Sequence, residues 1–233
     1  MWLVSAVVFA LAGYVSAKSL ATLNCSDNVH NLILANSNFS QGYSSYITFV
    51  KGTVYNHDYS PACAYGKPNV PLPGFVKFLD GELHVTKYYD VLKDGMLKVT
   101  VYSSFFDKPI CLNGISQYMA LPDSMCQFKI SEFMNHDIVR IFEEPGIHTL
   151  SEIKDRIGLN TTIELPEAPS FLGISLLDLL AGEFAFGFQI ETEGKTIMDV
   201  NIPTNHKWLQ IGVAENSVKE DAADDEKSSE EDD

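Results

Sequence analysis

The sequence predicts an all-β domain, an antiparallel β-sandwich or cup carrying one or two short helices. Three observations lead there. Short runs of alternating apolar and polar residues recur along the chain, broken by Gly-, Pro- and Asp-rich turns. The alternation gives each run one dry and one wet face, the pattern of antiparallel rather than parallel sheets. Helical periodicity is confined to one short stretch, and no internal repeat is visible.

In chain order, "SSYITFVKGTVYN" (44–56) reads as a strand weakened at Gly52, and "SPACAYGKPNVPLPG" (60–74) as a crossing loop that carries Cys63. "FVKFL", "ELHVTKYYDVL" and "MLKVTVYSSFF" follow, separated by Asp80-Gly81 and Asp94-Gly95. Asp-Gly between alternating runs predicts hairpins, because such turns need positive φ. "TLSEIKDRIGLN" (149–160) predicts a short helix with Ser151 as N-cap and Gly158 as stop. "APSFLGISLLDLLAGEF" is apolar on nearly every side and reads as a buried helical turn or a greasy loop. "EFAFGFQIET" and "KTIMDVNI" flank Glu193-Gly194, a further hairpin.

Two of these runs have sharply divided faces. Phe184, Phe186, Phe188 and Ile190 share one side of their strand, with Ala185, Gly187 and Gln189 on the other. Leu97, Val99 and Val101 likewise oppose Lys98, Thr100 and Tyr102. The two apolar sets are either the filling of a solid core or the lining of an apolar cavity.

The chain opens on an apolar run, residues 1–17, of signal-peptide length that ends in the small-x-small pattern Val15-Ser16-Ala17. The expected organisation is a signal at 1–17, one domain at 18–214 and an acidic tail at 215–233. The expected destination is secretion or the endomembrane lumen, extracellular or lysosomal. Such compartments oxidise thiols, and the four cysteines are an even set. Neither a close Cys-x-x-Cys nor a His-x-x-x-His spacing points to zinc. Cys111 and Cys126, with fourteen residues between them in "CLNGISQYMALPDSMC", therefore read as a structural staple. Asn38 and Asn160 head glycosylation sequons, which must face solvent if they are used.

The formal charge is −15, and the tail holds ten acids against two lysines. Without an aromatic residue or an apolar run, the tail is expected to be disordered. The remaining body is still acidic, which argues against nucleic acid as a partner.

No catalytic constellation, metal site or cofactor loop stands out. "GISLL" (173–177) lacks the second glycine of a nucleophile elbow. His57-Asp58 and His136-Asp137 are adjacent pairs, which on a strand would point to opposite faces. Glu143-Glu144 before Pro145 reads as a solvated loop. The expectation is a non-enzyme, with no cofactor and no metal.

The order of parts resembles the ML lipid-recognition family, which includes the ganglioside activator and Niemann-Pick-type sterol carriers. The matching pieces are "LNCSDN" at the start of the domain, "LKVTVYSSFFDKPIC…C", an "ELP" at 164–166, and "AGEFAFGFQIETEGKTIMDVNI". The likeness covers residues 22–202. It departs from the family at Gln127, where proline often follows the second loop cysteine, and in "TIMDVNI", which lacks the last-strand cysteine that commonly bonds the first. With Cys111 and Cys126 paired, Cys25 is left with Cys63. The resemblance implies an immunoglobulin-like sandwich whose sheets splay around a lipid or sterol. It makes Leu97, Val99, Val101, Phe184, Phe186, Phe188 and Ile190 the lining candidates, and 171–180 a greasy rim for transient membrane contact. The competing readings are a secreted interaction module with a filled core and a hydrolase with an unrecognised site.

Overall fold

A computed structural model describes residues 25–167, 170–171, 174–175 and 181–213. The expected signal at 1–17, most of the apolar stretch 171–180 and the acidic tail at 215–233 lie outside the described residues.

The first half of the chain gives β1 (Leu32–Ser37), β2 (Ser45–Asn56), β3 (Cys63–Ala64), β4 (Lys67–Val70), β5 (Gly74–Val85), the helical turn α1 (Val91–Asp94) and β6 (Met96–Ser103). Next come β7 (Cys111–Leu112), β8 (Ile115–Ser116), β9 (Gln127–Lys129), α2 (Ile130–Phe133), α3 (His136–Val139), β10 (Gly146–Thr149), α4 (Leu150–Ile157) and β11 (Thr162–Leu165). The last part gives β12 (Ser170–Phe171), β13 (Ile174–Ser175), β14 (Gly182–Thr192), β15 (Lys195–Ile202) and β16 (Leu209–Ile211). The fold is all-β with short helices, as the alternation predicts.

The strands form two layers joined through β1. Leu32–Ala35 pairs with β2, whereas Asn36 and Ser37 pair with β15. The first layer continues from β2 to β5, which carries β10 and β11 on its far edge. The second layer has β14 at its centre, with β15 and β16 on one side and β6 on the other. β7 and β9 extend the β6 edge, and β4 pairs β16 in parallel.

One expected hairpin forms. Glu193 and Gly194 take φ of 52° and 68° and connect β14 to β15, the two successive positive φ values that a tight hairpin turn demands. The other two do not form. Asp80-Gly81 lies inside the continuous strand β5, and neither residue takes positive φ. The strand instead absorbs an extra residue, Leu79, in a bulge opposite Lys51–Gly52. Gly81 earns its place by packing, since a Cβ there would stand 3.1 Å from Val50 Cγ2. Asp94-Gly95 closes α1 and passes the chain to the other layer. Gly95 keeps an extended φ of −65°, and a Cβ there would lie 2.2 Å from the Val91 carbonyl oxygen.

The helix at 150–157 stops at Gly158 in the left-handed region, as expected. Its N-cap is Thr149, not Ser151: the Glu152 N–H donates to Thr149 Oγ1 at 3.2 Å. The helix starts earlier because β10 ends at Thr149 with its side chain already positioned to cap. In the apolar stretch after 168, β12 pairs with β13 as a small ladder, so this part is strand rather than helical turn or loop.

The core joins both layers. Ala35 and Val85 from the first pack with Leu97, Ile190, Met198 and Val200 from the second, and Val91, Ile130, Val139 and Phe142 from the helical connections close one end. Burying each such side chain contributes about 1.5–3 kcal/mol relative to leaving it exposed. Two disulfides complete the frame. Cys111–Cys126 spans 15 positions and ties β7 to the segment entering β9, both along the β6 edge. Cys25–Cys63 spans 38 and fixes the first described residue to β3. Two disulfides fit an oxidising, extracellular or lumenal setting.

Candidate functional site

The inner face of the second layer collects every apolar residue singled out by the alternation. Phe186 lies opposite Val101, Phe188 opposite Val99 and Ile190 opposite Leu97 on neighbouring strands. Directly paired residues share a face, so the two stripes form one continuous surface. They are two parts of one wall, not two walls facing each other across a cavity. Ile202, Val200 and Met198 of β15 extend this surface on the other side of β14. The rings of Phe184, Phe186 and Phe188 run along it with successive centroids 6.2 Å apart.

The facing wall comes from the first layer. Ala35 and Val50 enter the core and set its parity, which places Ile33, Val54, Val76 and Phe78 on the inner face as well. Gly52 has the matching side, since a Cβ there would meet Phe78 and Val76 at 3.8 and 3.9 Å. Sequence reasoning missed this wall because the bulge at Leu79 inverts the alternation of β5 halfway along.

The inner face is unevenly covered. Leu97 and Ile190 are buried at the end closed by α1 and α2, and Phe184 is buried at the other end. Between them Val99, Val101, Phe186 and Phe188 are only half-buried, as are Ile33, Val76 and Phe78 of the facing layer, whereas Val54 and Val200 are buried. Val99, Val101 and Phe186 stand outside the packed core cluster altogether. The closed end is latched. Asp94 Oδ1 accepts from Thr192 Oγ1 at 2.5 Å, and Oδ2 accepts from the Glu193 N–H at 3.2 Å. The Thr192 hydroxyl holds the Asp94 carboxyl below its ordinary range.

At the Phe184 end, the segment after β6 crosses the start of β14. Ser104 N–H donates to the Glu183 carbonyl at 3.0 Å, and Phe105 packs over Gly182. Phe105 and Phe106 are more than half exposed, and Met119 of the disulfide loop is fully so. These aromatic loop residues went unread in the sequence, where they look like the frayed end of a strand.

The adjacent acid–histidine pairs are occupied locally. Asp58 caps the turn at Ser60, accepting from its N–H at 2.9 Å and from its hydroxyl at 2.5 Å, and His57 stacks over Phe75. The His136 ring bonds the Ser131 carbonyl at 2.9 Å. Glu144 pairs with Arg156. Among the described residues, no group of His, Cys, Asp and Glu side chains gathers as a metal site. Of the sequon asparagines, Asn160 is exposed, its Oδ1 accepting from the Thr162 N–H at 3.0 Å, and Asn38 is half-buried beside β15.

No protein-family model matches the chain, and a search of curated proteins finds no match.

Proposed function

We propose that this chain is a non-enzymatic carrier of a lipid or sterol, working in the secretory lumen or outside the cell. The apolar ligand sits against the Phe186–Phe188–Val99–Val101 surface, in the space between the layers. The observation that carries the reading is the incomplete cover of that surface. A filled core would bury the strip of Val99, Val101, Phe186 and Phe188, which here stays only half-buried although its neighbour Val200 is buried. An alkyl chain laid there gains about 0.8 kcal/mol per buried methylene. The order of parts shared with the ML lipid-recognition family supports the same reading. The exposed Phe105, Phe106 and Met119 lie near Gly182, where β14 begins, and make a rim through which a ligand is loaded from a membrane.

The test is native mass spectrometry of the secreted protein, followed by displacement of a fluorescent fatty acid or sterol. A co-purifying lipid and saturable displacement are expected. Protein that is lipid-free and shows no saturable binding would leave the interaction-module reading in place.

A further inference from the structure

β14 has a second face, and a cleft of about 580 Å³ opens on it. Its floor is Ala185 and Gly187, the small residues that alternate with the phenylalanines. The floor fits tightly, since a Cβ on Gly187 would come within 3.3 Å of Thr100 Cβ. Thr100 is itself fixed: it accepts from the Asn113 N–H at 2.9 Å and donates to Asn113 Oδ1 at 3.2 Å. On the β15 side stands Asp199, half-buried, with Gln189 Nε2 donating to it at 3.4 Å. Burial pushes the Asp199 carboxyl up, and burial, helped by the Asp199 charge, pushes the Tyr43 phenol up.

The lining selects its ligand class. Among the described residues no Lys, Arg or His lines the cleft, so an anion would meet the Asp199 carboxylate with no cation to offset it. One carboxylate does not make a divalent-cation site, which takes six to eight oxygens for calcium. A lipid would press an apolar surface onto the amide and carboxylate groups of the lining and cut them off from water, which is costly. A hydroxyl group both donates and accepts, so a ring bearing several of them satisfies a carboxylate and neighbouring amides together. Tyr43 and Tyr102 add aromatic surface for the ring's C–H face. The volume lies in the ordinary range for small-ligand sites, about 300–1,000 Å³.

We propose that this cleft binds a hexose of a glycan, with Asp199 and Gln189 reading its hydroxyls over the Gly187 floor. The sugar can come from two sources. Asn38 heads a sequon and lines the same cleft, so the chain's own glycan can fold back into it. A separate glycan is the other source.

The experiment uses the full chain from a eukaryotic secretory host, as wild type and as Ser40→Ala, which removes the sequon without touching Asn38. Saturation-transfer NMR is run with methyl α-mannoside, methyl β-galactoside and methyl N-acetyl-β-glucosaminide. Saturable binding of at least one sugar to Ser40→Ala is expected, weakened tenfold or more by Asp199→Asn. The melting curve of Asp199→Asn shows that it folds. Binding by wild type and Ser40→Ala alike assigns the site to an external glycan. Binding by Ser40→Ala alone assigns it to the chain's own. No binding to Ser40→Ala, or binding indifferent to Asp199→Asn, overturns the proposal.

Discussion

Two substitutions on the same face of β14 should behave oppositely if the middle of the inner surface borders open space. Ile190 is 3 % exposed and sits between Leu97 and Met198, each at 8 %. Enlarging it to phenylalanine forces ring atoms into a full core, which costs roughly 1–3 kcal/mol. At about 2–4 °C per kcal/mol for a domain of this size, Ile190→Phe should lower Tm by roughly 2–12 °C. Phe186 is half-buried and outside the packed cluster. Phe186→Trp should cost under about 1 kcal/mol, because the larger ring extends into space that side chains do not fill. The same ring should exclude ligand. Displacing two methylenes from the surface forfeits about 1.6 kcal/mol, roughly a 15-fold loss of affinity. Calorimetric melting and fluorescent-lipid titration of both variants read the two effects separately. If Phe186→Trp melts as low as Ile190→Phe and the wild type shows no saturable lipid binding, the space is not there and the reasoning fails.

Replacing Cys111 and Cys126 together by serine should cost about 3 kcal/mol in the chain-entropy model, and the longer Cys25–Cys63 loop about 4, both read from denaturant midpoints. Thr149→Ala removes the cap of α4 and should cost about 0.5–2 kcal/mol in the same assay, whereas Ser151→Ala should be nearly silent. Two carboxyls should give opposite pH signatures. Asp94 is held low in the folded state, so its stabilisation is present above the unfolded pKa and lost as pH falls; Asp94→Asn should lower Tm at pH 7 and converge with wild type in acid. Asp199 is pushed up by burial, so the native state keeps its proton longer than the unfolded chain and loses stability as pH rises. Asp199→Asn should therefore raise Tm at pH 7, with the gain shrinking below about pH 4.

Alternation carried the class of fold and the facing of β6 and β14, because period-2 burial is imposed locally by the pleat. Turn chemistry was legible only where both turn residues reach positive φ. Glu193-Gly194 does so, and so do Tyr65-Gly66 and Asn113-Gly114, which join β3 to β4 and β7 to β8. Asn113-Gly114 was there to be read, since "LNGI" carries the Asn-Gly signature of a tight hairpin, hidden because the flanking strands are two residues long, whereas Tyr65-Gly66 carries no such signature and 60–74 reads as a crossing loop. Asp80-Gly81 misleads for the opposite reason. Its glycine serves close packing against Val50, and composition cannot distinguish a glycine needed for φ from one needed for room. That bulge also conceals the facing wall, since Val76 and Phe78 change sides relative to Leu83 and Val85 once Leu79 is inserted. The side-by-side pairing of β6 and β14 is a matter of topology, which no local pattern encodes.

β14 explains why the two proposed sites can be tested without interfering. Its sequence from 184 to 190 alternates large with small or polar: Phe, Ala, Phe, Gly, Phe, Gln, Ile. A strand whose successive side chains leave by opposite faces can serve two unrelated surfaces, provided each set is chosen for its own side. The phenylalanines supply apolar area inward, and the absence of bulk at Ala185 and Gly187 lets β6 and β15 side chains frame a polar cleft outward. The backbone is shared, but the side chains are separated by the thickness of the sheet. Phe186 and Ile202 also border the cleft, so the clean inner-face variant is Phe188→Trp, which should change lipid affinity and leave sugar binding intact, and Asp199→Asn should do the reverse. A variant at either position that abolished both activities while the protein stayed folded would mean that the faces communicate through β14 itself. That outcome contradicts a rigid central strand held on both edges by long antiparallel ladders.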